Sequence, residues 1–553
     1  MTSAETTCRP GDRSWIEATT LGDLLDRRAA ERPDADAVVF PGTRASYAEL
    51  AARAQRFARL LAGLGVGPGD RVGILLPASV DLLAALFGSV KLGAIAVPVN
   101  ARFKSVELAQ IVTHSGMRVL VTDPASTGLL HETFPEVDGH PGGELALADA
   151  PELRHVVVLD GVGVLDPGVA DEHVWAAQTS VRVRDTAVIV YTSGTTAAPK
   201  GAMLSHEALY RLAAGIGERL RITPDDRVWT AIPLFHGGGI TFALSCIAAG
   251  APFVHAGYFD PGTTLEYLRD ERVTIALAAF ETIWMPVLNR PDFTRFDLSG
   301  IRVVMAVGVP ERLRDMASRL PHAVHVSCVA MTESAAFLTL NRLDDPPEAR
   351  ATTGGHPMPG MQCRVVDPQT GAAVDPGTPG ELLFRGPNAF DGYFRDPERT
   401  AEVFDAEGWF HSGDLVVADP EGRLTFLSRL KDMLKVGGEN VAAAEVEGYL
   451  LTHPAVDIVA VVGAPDAYYV EVPAAFVQLT PGVTTTEQEL IEFCLGRIAT
   501  YRVPRYVRFI TDAGGWPMSG TKIKKYVLRE RIAGELEAAG ITEAPRFPSR
   551  RTP

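Results

Sequence analysis

Apolar positions along the chain fall into two repeating patterns. Residues 47–64 and 204–220 carry the helical pattern, the second with Ser205 placed to cap its first turn. Short apolar runs at 71–76, 94–99, 118–122, 187–191 and 274–278 are bounded by turn residues and have the length of buried strands. Strands alternating with helices in this way predict an α/β protein built on parallel sheets. The longest apolar stretch, 82–99, is broken by Lys91 and two glycines, so it reads as helix, turn and strand and not as a membrane span. Glycine and proline become dense between 353 and 392, where the runs 362–366 and 381–384 predict a smaller antiparallel unit.

At 553 residues the chain exceeds the size at which a single core keeps growing, so two or more domains are expected. A boundary is expected near 429–435, between a strand at 423–427 and the glycine loop VGGEN at 436–440. This gives an N-terminal domain of residues 1–429 and a C-terminal domain of residues 430–553. The ends, 1–15 and 543–553, read as loose. A net charge of −16 argues against nonspecific nucleic-acid binding, so any phosphate site must be locally basic. Five scattered cysteines without a CxxC pair indicate neither a zinc site nor a disulfide framework and fit a reducing cytoplasm. The polar N-terminus lacks the apolar core of a secretory signal.

The chemistry concentrates at residues 191–206, YTSGTTAAPKGAMLSH. Small residues let the backbone approach an anion, N–H and hydroxyl groups donate to phosphate oxygens, and Lys200 adds a point charge. With a strand before the loop and a helix after it, the segment is expected to form a strand–loop–helix phosphate clamp. It is not the commoner P-loop, which ends Gly-Lys-Ser/Thr, because Pro199 precedes Lys200 and Gly201 follows it.

This string resembles the signature loop of the adenylate-forming superfamily, which holds acyl-CoA synthetases, adenylation domains of peptide synthetases and luciferases. The resemblance recurs in order over nearly the whole chain. It implies an α/β fold with a large N-terminal domain of αβ-layered sheets plus a small antiparallel barrel, and a small mobile α+β C-terminal domain. It also implies a small carboxylic acid as substrate, with ATP, Mg2+ and coenzyme A. Thr192, Ser193, Gly194, Thr195, Thr196 and Lys200 would hold the β- and γ-phosphates. PLFHGGG at 233–239 resembles the acyl-pocket segment, which puts Phe235 and Gly237 on the pocket and His236 beside the incoming carboxylate. MTES at 331–334 resembles the segment in which Thr332 contacts the α-phosphate and Glu333 holds magnesium. One carboxylate suffices there, since magnesium takes phosphate and water oxygens besides. WFHSGDL at 409–415 resembles the ribose motif, with Asp414 and then Arg429 reaching the ribose. RLKDMLKVGGEN at 429–440 resembles the hinge and thiol tunnel, with Lys431 at the hinge and Gly437 and Gly438 beside the pantetheine channel. PMSGTKIKK at 517–525 resembles the catalytic-lysine loop; Lys522 takes that role, with Lys524 and Lys525 as the other candidates for the register. Glu445 and Glu447 read as surface or structural charges.

Several positions depart from the pattern. Ala197 stands where a third glycine is usual. Cys328-Val329-Ala330 replaces an aromatic and a glycine, so adenine is expected to pack on Val329. AVGVP at 306–310 replaces a glycine-rich stretch, so Val307, beside the nucleotide-contacting Gly308, should narrow the acyl pocket. Glu281 stands where a proline is common; it meets a polar group on the substrate or is a paired structural acid. These changes favour a compact or functionalised acid over a long plain chain. The leading expectation is an acid–CoA ligase. Two readings stay open beside it: adenylation for another acceptor (a carrier protein in trans, nitrite or an amine), and a non-catalytic nucleotide-binding relative.

Overall fold

The computed structural model describes residues 19–139, 144–159, 169–192, 200–430, 433–436, 439–511, 515–519 and 522–547. Two large sheets dominate. The first runs His155–Val158, Val119–Thr122, Arg71–Leu75, Ile95–Pro98, Thr186–Thr192, Lys200–Ser205, parallel except for its last strand. The second runs Val324–Val326, Val303–Val307, Ile275–Phe280, Val228–Thr230, Phe253–His255, Asp36–Phe40, Thr43–Ser46, again parallel except for the last.

Both sheets are apolar on two faces, as parallel sheets covered by helices must be. Val188 and Val190 enter the largest core while Ile189 between them enters another; Val38 and Val39 divide in the same way. The largest core lies between the sheets. It is filled from helices Leu21–Glu31, Tyr47–Gly63, Val80–Lys91, His206–Arg219 and Gly237–Ala249. Separate apolar clusters cover the outer faces, so the expected αβ-layered build is present. Tyr47–Gly63 shows why such segments begin where they do: Ser46 and Glu49 close a reciprocal capping box over its first turn.

The turn-rich region folds as a four-stranded antiparallel sheet, Gln362–Val366, Gly380–Arg385, Phe410–Ala418, Leu424–Arg429. From Met433 onward a different five-stranded sheet forms from Met433–Val436, Glu439–Ala442, Val456–Asp466, Val470–Leu479 and Tyr506–Phe509. Its two apolar clusters draw all their buried members from within this later part of the chain.

One expectation is corrected. The loop after Thr186–Thr192 does not lead into a helix. Residues Lys200–Ser205 form a strand that returns antiparallel, with Thr192 opposite Lys200. Gly201 makes that return possible, because a Cβ there would lie 2.8 Å from Ile189 Cγ2. The helix His206–Arg219, capped by Ser205 as expected, starts at the far end of this strand, roughly 15–20 Å along at a strand's rise per residue. Its N-terminus therefore stands at the opposite end of the strand from Thr192.

Candidate functional site

Lys200, Glu333 and Tyr393 meet at one corner. The Tyr393 hydroxyl donates to Glu333 Oε1 at 2.8 Å, and Lys200 Nζ lies 5.3 Å from the centre of the Tyr393 ring. Lys200 is half-buried. Burial, and then the Arg399 guanidinium, hold its ammonium below the usual lysine range, while Glu333 pulls the other way. Thr332 and Glu333 lie on a single 3-10 turn, Thr332–Ser334, directly after the strand Cys328–Met331. The chain leaves that turn through Ala335 at φ 60° and Ala336 at φ 138°, two left-handed alanines in succession. Non-glycine residues in such conformations carry strain that the surroundings must hold.

The donor set suits magnesium. Glu333 supplies one half-buried, hard carboxylate near Lys200, and among the described residues no cluster of three His, Cys, Asp or Glu competes for a metal. Magnesium keeps several waters and takes one or two carboxylates plus phosphate oxygens, so a single protein carboxylate is enough.

Asp414 and Arg429 face each other across adjacent strands, with Arg429 Nε 2.8 Å from Asp414 Oδ1. Asp414 is only 4% exposed at its side chain. The two residues assigned to ribose thus stand together.

His236 occupies the N-cap position of the helix Gly237–Ala249, its ring 4.7 Å from that of Phe235. The helix is fastened to the Thr332 turn by the Thr241 hydroxyl, which donates to the Ala335 carbonyl at 3.0 Å. The expected acyl segment and the expected α-phosphate segment are therefore neighbours. Gly239 is required for the close fold-back of the helix on the segment before it, since a Cβ would come within 2.5 Å of the Pro233 carbonyl oxygen.

Val307 ends the strand Val303–Val307 opposite Phe280 and remains 37% exposed. Glu281, the first residue of the helix Glu281–Leu288, accepts from the Val309 N–H at 3.2 Å. It leaves no space beside Gly308, where a Cβ would fall 2.2 Å from its Oε1. Burial raises the Glu281 carboxyl pKa, and Arg312 partly opposes this. Glu281 therefore has a backbone partner of its own.

Val329, expected to pack against adenine, turns inward. Val329 is 4% exposed and packs on Gly354, where a Cβ would lie 2.6 Å from Val329 Cγ2. Strand residues alternate faces, and a bulge between Val329 and Ala330 leaves Ala330 as the exposed member of this strand.

In the later part of the chain, Lys522–Ile523 pairs with Met518–Ser519, with Lys522 opposite Ser519. Lys525 is already engaged, its Nζ 2.6 Å from Glu447 Oε1. Glu447 also accepts from the Val461 N–H, and Glu445 pairs with Arg502 at 3.2 Å, so both glutamates have structural partners. The strands Met433–Val436 and Glu439–Ala442 pair with Val436 opposite Glu439. Ser193, Gly194, Thr195, Thr196, Ala197, Lys431, Gly437, Gly438 and the side chain of Lys522 lie outside the described residues. Tyr393 was not singled out from sequence. Its only local mark is an aromatic after Gly392 at the end of the turn-rich stretch.

No helix among the described residues is long and apolar enough to cross a membrane. Residues 25–394 match the family model described as AMP-binding enzyme, and residues 445–518 match the AMP-binding enzyme C-terminal domain. Among curated proteins, the chain is 35% identical over 518 residues to a feruloyl-CoA synthase of an Amycolatopsis species, covering 93% of this chain and 99% of that one. It is 32% identical over 545 residues to the mitochondrial medium-chain acyl-CoA ligase ACSF2 of Bos taurus, covering 94% and 88%. Among solved structures, ATP-bound MatB from Rhodopseudomonas palustris superposes with a TM-score of 0.80 at 29% identity, covering 93% of this chain and 99% of that one. With family models covering residues 25–394 and 445–518 and a relative 35% identical over nearly its whole length, the chain belongs to the AMP-binding enzyme family of adenylate-forming acyl-CoA synthetases.

Proposed function

We propose that the protein is an ATP-dependent acid–CoA ligase. The substrate carboxylate attacks the α-phosphorus of ATP, giving acyl-AMP and pyrophosphate; coenzyme A then displaces AMP to form the thioester. The observation that carries this reading is the convergence of Lys200, Glu333, Asp414 and Arg429 on one side of the fold of an acyl-CoA synthetase family.

The protein's part in the first step is positioning and charge neutralisation. Thr192, Lys200 and the loop Ser193, Gly194, Thr195, Thr196 hold the β- and γ-phosphates. Thr332 addresses the α-phosphate, Asp414 and Arg429 the ribose, and Gly308 and Ala330 line the nucleotide pocket. Glu333 holds magnesium, which when bound screens the phosphate charge. Lys522 neutralises oxygens as charge develops, a role left to it or Lys524 by the Lys525–Glu447 pair. His236, Phe235, Gly237 and Val307 bound the acyl pocket. Val307 narrows it toward a compact or functionalised acid, and Glu281 acts from its wall as a structural acid.

For the second step, residues 430–553 turn as a domain about Lys431, withdrawing Lys522 and presenting Gly437 and Gly438 to the thiol. The change of sheet after Arg429 supports a boundary there. Coenzyme A is the acceptor; a carrier protein in trans is the alternative partner. The buried free thiols Cys246, Cys328, Cys363 and Cys494 suit a reducing cytoplasm.

Pyrophosphate release across a panel of aryl, dicarboxylic and medium-chain acids, with product masses with and without coenzyme A, tests the reading. An acyl-CoA mass is expected. Pyrophosphate release without any thioester would overturn the acceptor, and no release with any acid would overturn the activity.

A further inference from the structure

A five-residue segment ties together two groups far apart in sequence. The Phe390 N–H donates to the main-chain carbonyl of Glu333 at 2.9 Å. On the other side, the Phe394 N–H donates to the Gly201 carbonyl at 2.7 Å, and the Met203 N–H donates to the Gly392 carbonyl at 3.0 Å. The segment thus bridges the Thr332–Ser334 turn and the strand that Lys200 opens. Tyr393 stands in its middle. Its N–H is held by Thr400 Oγ1 at 2.9 Å, its hydroxyl by Glu333 Oε1 at 2.8 Å, and its ring lies against Lys200.

Filling space here needs only a ring, as the neighbouring Phe390 provides with its own ring 4.9 Å away. The hydroxyl is a further commitment: a buried phenol needs a partner, and this one takes a carboxylate oxygen on the residue assigned to the metal. Outer contacts of this kind fix the rotation of a ligating carboxylate and tune its affinity for an ion. The ring meanwhile keeps the lysine alongside by a cation–π contact.

We infer that Tyr393 is a positioning residue: through its hydroxyl it orients the Glu333 carboxylate for the magnesium nucleotide, and through its ring it holds Lys200 in the same corner. This rests on the assignment of Glu333 and Lys200 made above. Tyr393→Phe keeps the ring and removes the hydroxyl. Two readouts apply: Mn2+ binding to the enzyme with a non-hydrolysable ATP analogue, followed by electron paramagnetic resonance, and the free Mg2+ needed for half-maximal pyrophosphate release. Both should weaken about 10-fold. The KM for the acid and the melting temperature should not move. Wild-type Mn2+ affinity in Tyr393→Phe would overturn the inference. Glu333→Gln, measured alongside, separates the two levels. If it loses Mn2+ while Tyr393→Phe does not, only the role of Tyr393 fails; if it too binds Mn2+ normally, the metal assignment itself fails. If Tyr393→Phe is destabilised, the double variant decides. An affinity equal to that of Glu333→Gln alone supports action through the carboxylate, and a further loss shows a merely structural role.

Discussion

The corner around Lys200, Glu333 and Tyr393 and the later part of the chain are built on opposite principles. Around Tyr393, three segments are cross-bonded into one unit, and Lys200 and Glu333 are held there before any substrate arrives. The proposed catalytic lysine instead rides on a hairpin of two-residue strands, beside a sheet with its own separate cores. In the sheet of this later part, Val470 sits at φ 72° and 71% exposed, a β-branched residue in a conformation that favours glycine. The difference teaches where each demand falls. Binding a highly charged nucleotide profits from a preset frame, whereas a lysine that serves one of two steps must be able to leave.

Lys522→Ala breaks the comparison most strongly. It should slow acyl-AMP formation by about 10²–10³-fold, the cost of losing one charge-stabilising donor. Thioester formation from supplied acyl-AMP should stay near wild type, as read by separate half-reaction assays. Equal loss in both would mean that the lysine is not confined to one step.

Acid should reach the early part of the chain in a defined window. His206 and His255 are buried neutral, and burial pushes both down to about 4. Leu21 N–H donates to His206 Nδ1, which a proton there would forbid. Because the folded pKa lies below that of the unfolded chain, these groups contribute fully above about pH 6.5, and the contribution is lost as pH falls toward 4. The shift corresponds to about 3 kcal/mol for each histidine. Guanidinium unfolding at pH 7 and pH 5 checks it, with His206→Gln and His255→Gln flattening the slope.

The smallest effect concerns the tip of the other region. Val470→Gly should raise stability by about 1 kcal/mol, relief of a left-handed β-branched residue exceeding the entropy that glycine adds to the unfolded chain. Urea unfolding of the two proteins measures it. A loss would show that the valine contributes contacts worth more than its backbone strain.

Much of the fold was legible because period and length carry it. The run 362–366 is a strand to the residue, and the helix after Ser205 is capped as its sequence demands. The strand Lys200–Ser205 was not legible. Its short apolar run leads straight into the helical pattern that begins at Leu204, and only its pairing with Thr186–Thr192 separates the two. The facing of Val329 and Ala330 was hidden for a related reason: one bulge decides which of two neighbours faces outward, and a bulge leaves no mark in the sequence of its own strand. Tyr393 escaped because Glu333 lies 60 residues away along the chain, and nothing local announces the bond. Glu281 was readable as a carboxylate needing a partner, but its identity as an acceptor for Val309 emerged only in three dimensions.

The hairpin that follows Thr192 has a kinetic corollary. A helix end aimed at an anion is a permanent field that cannot be withdrawn. Here the helix starts at the far end of Lys200–Ser205, so on the proposed function the hold on the triphosphate falls to groups such as Lys200 and not to a helix end. Such a grip can relax once the α–β bond is cut. Pyrophosphate escape is then governed by how readily Lys200 lets go, and raising the ionic strength should hasten turnover wherever that departure limits it.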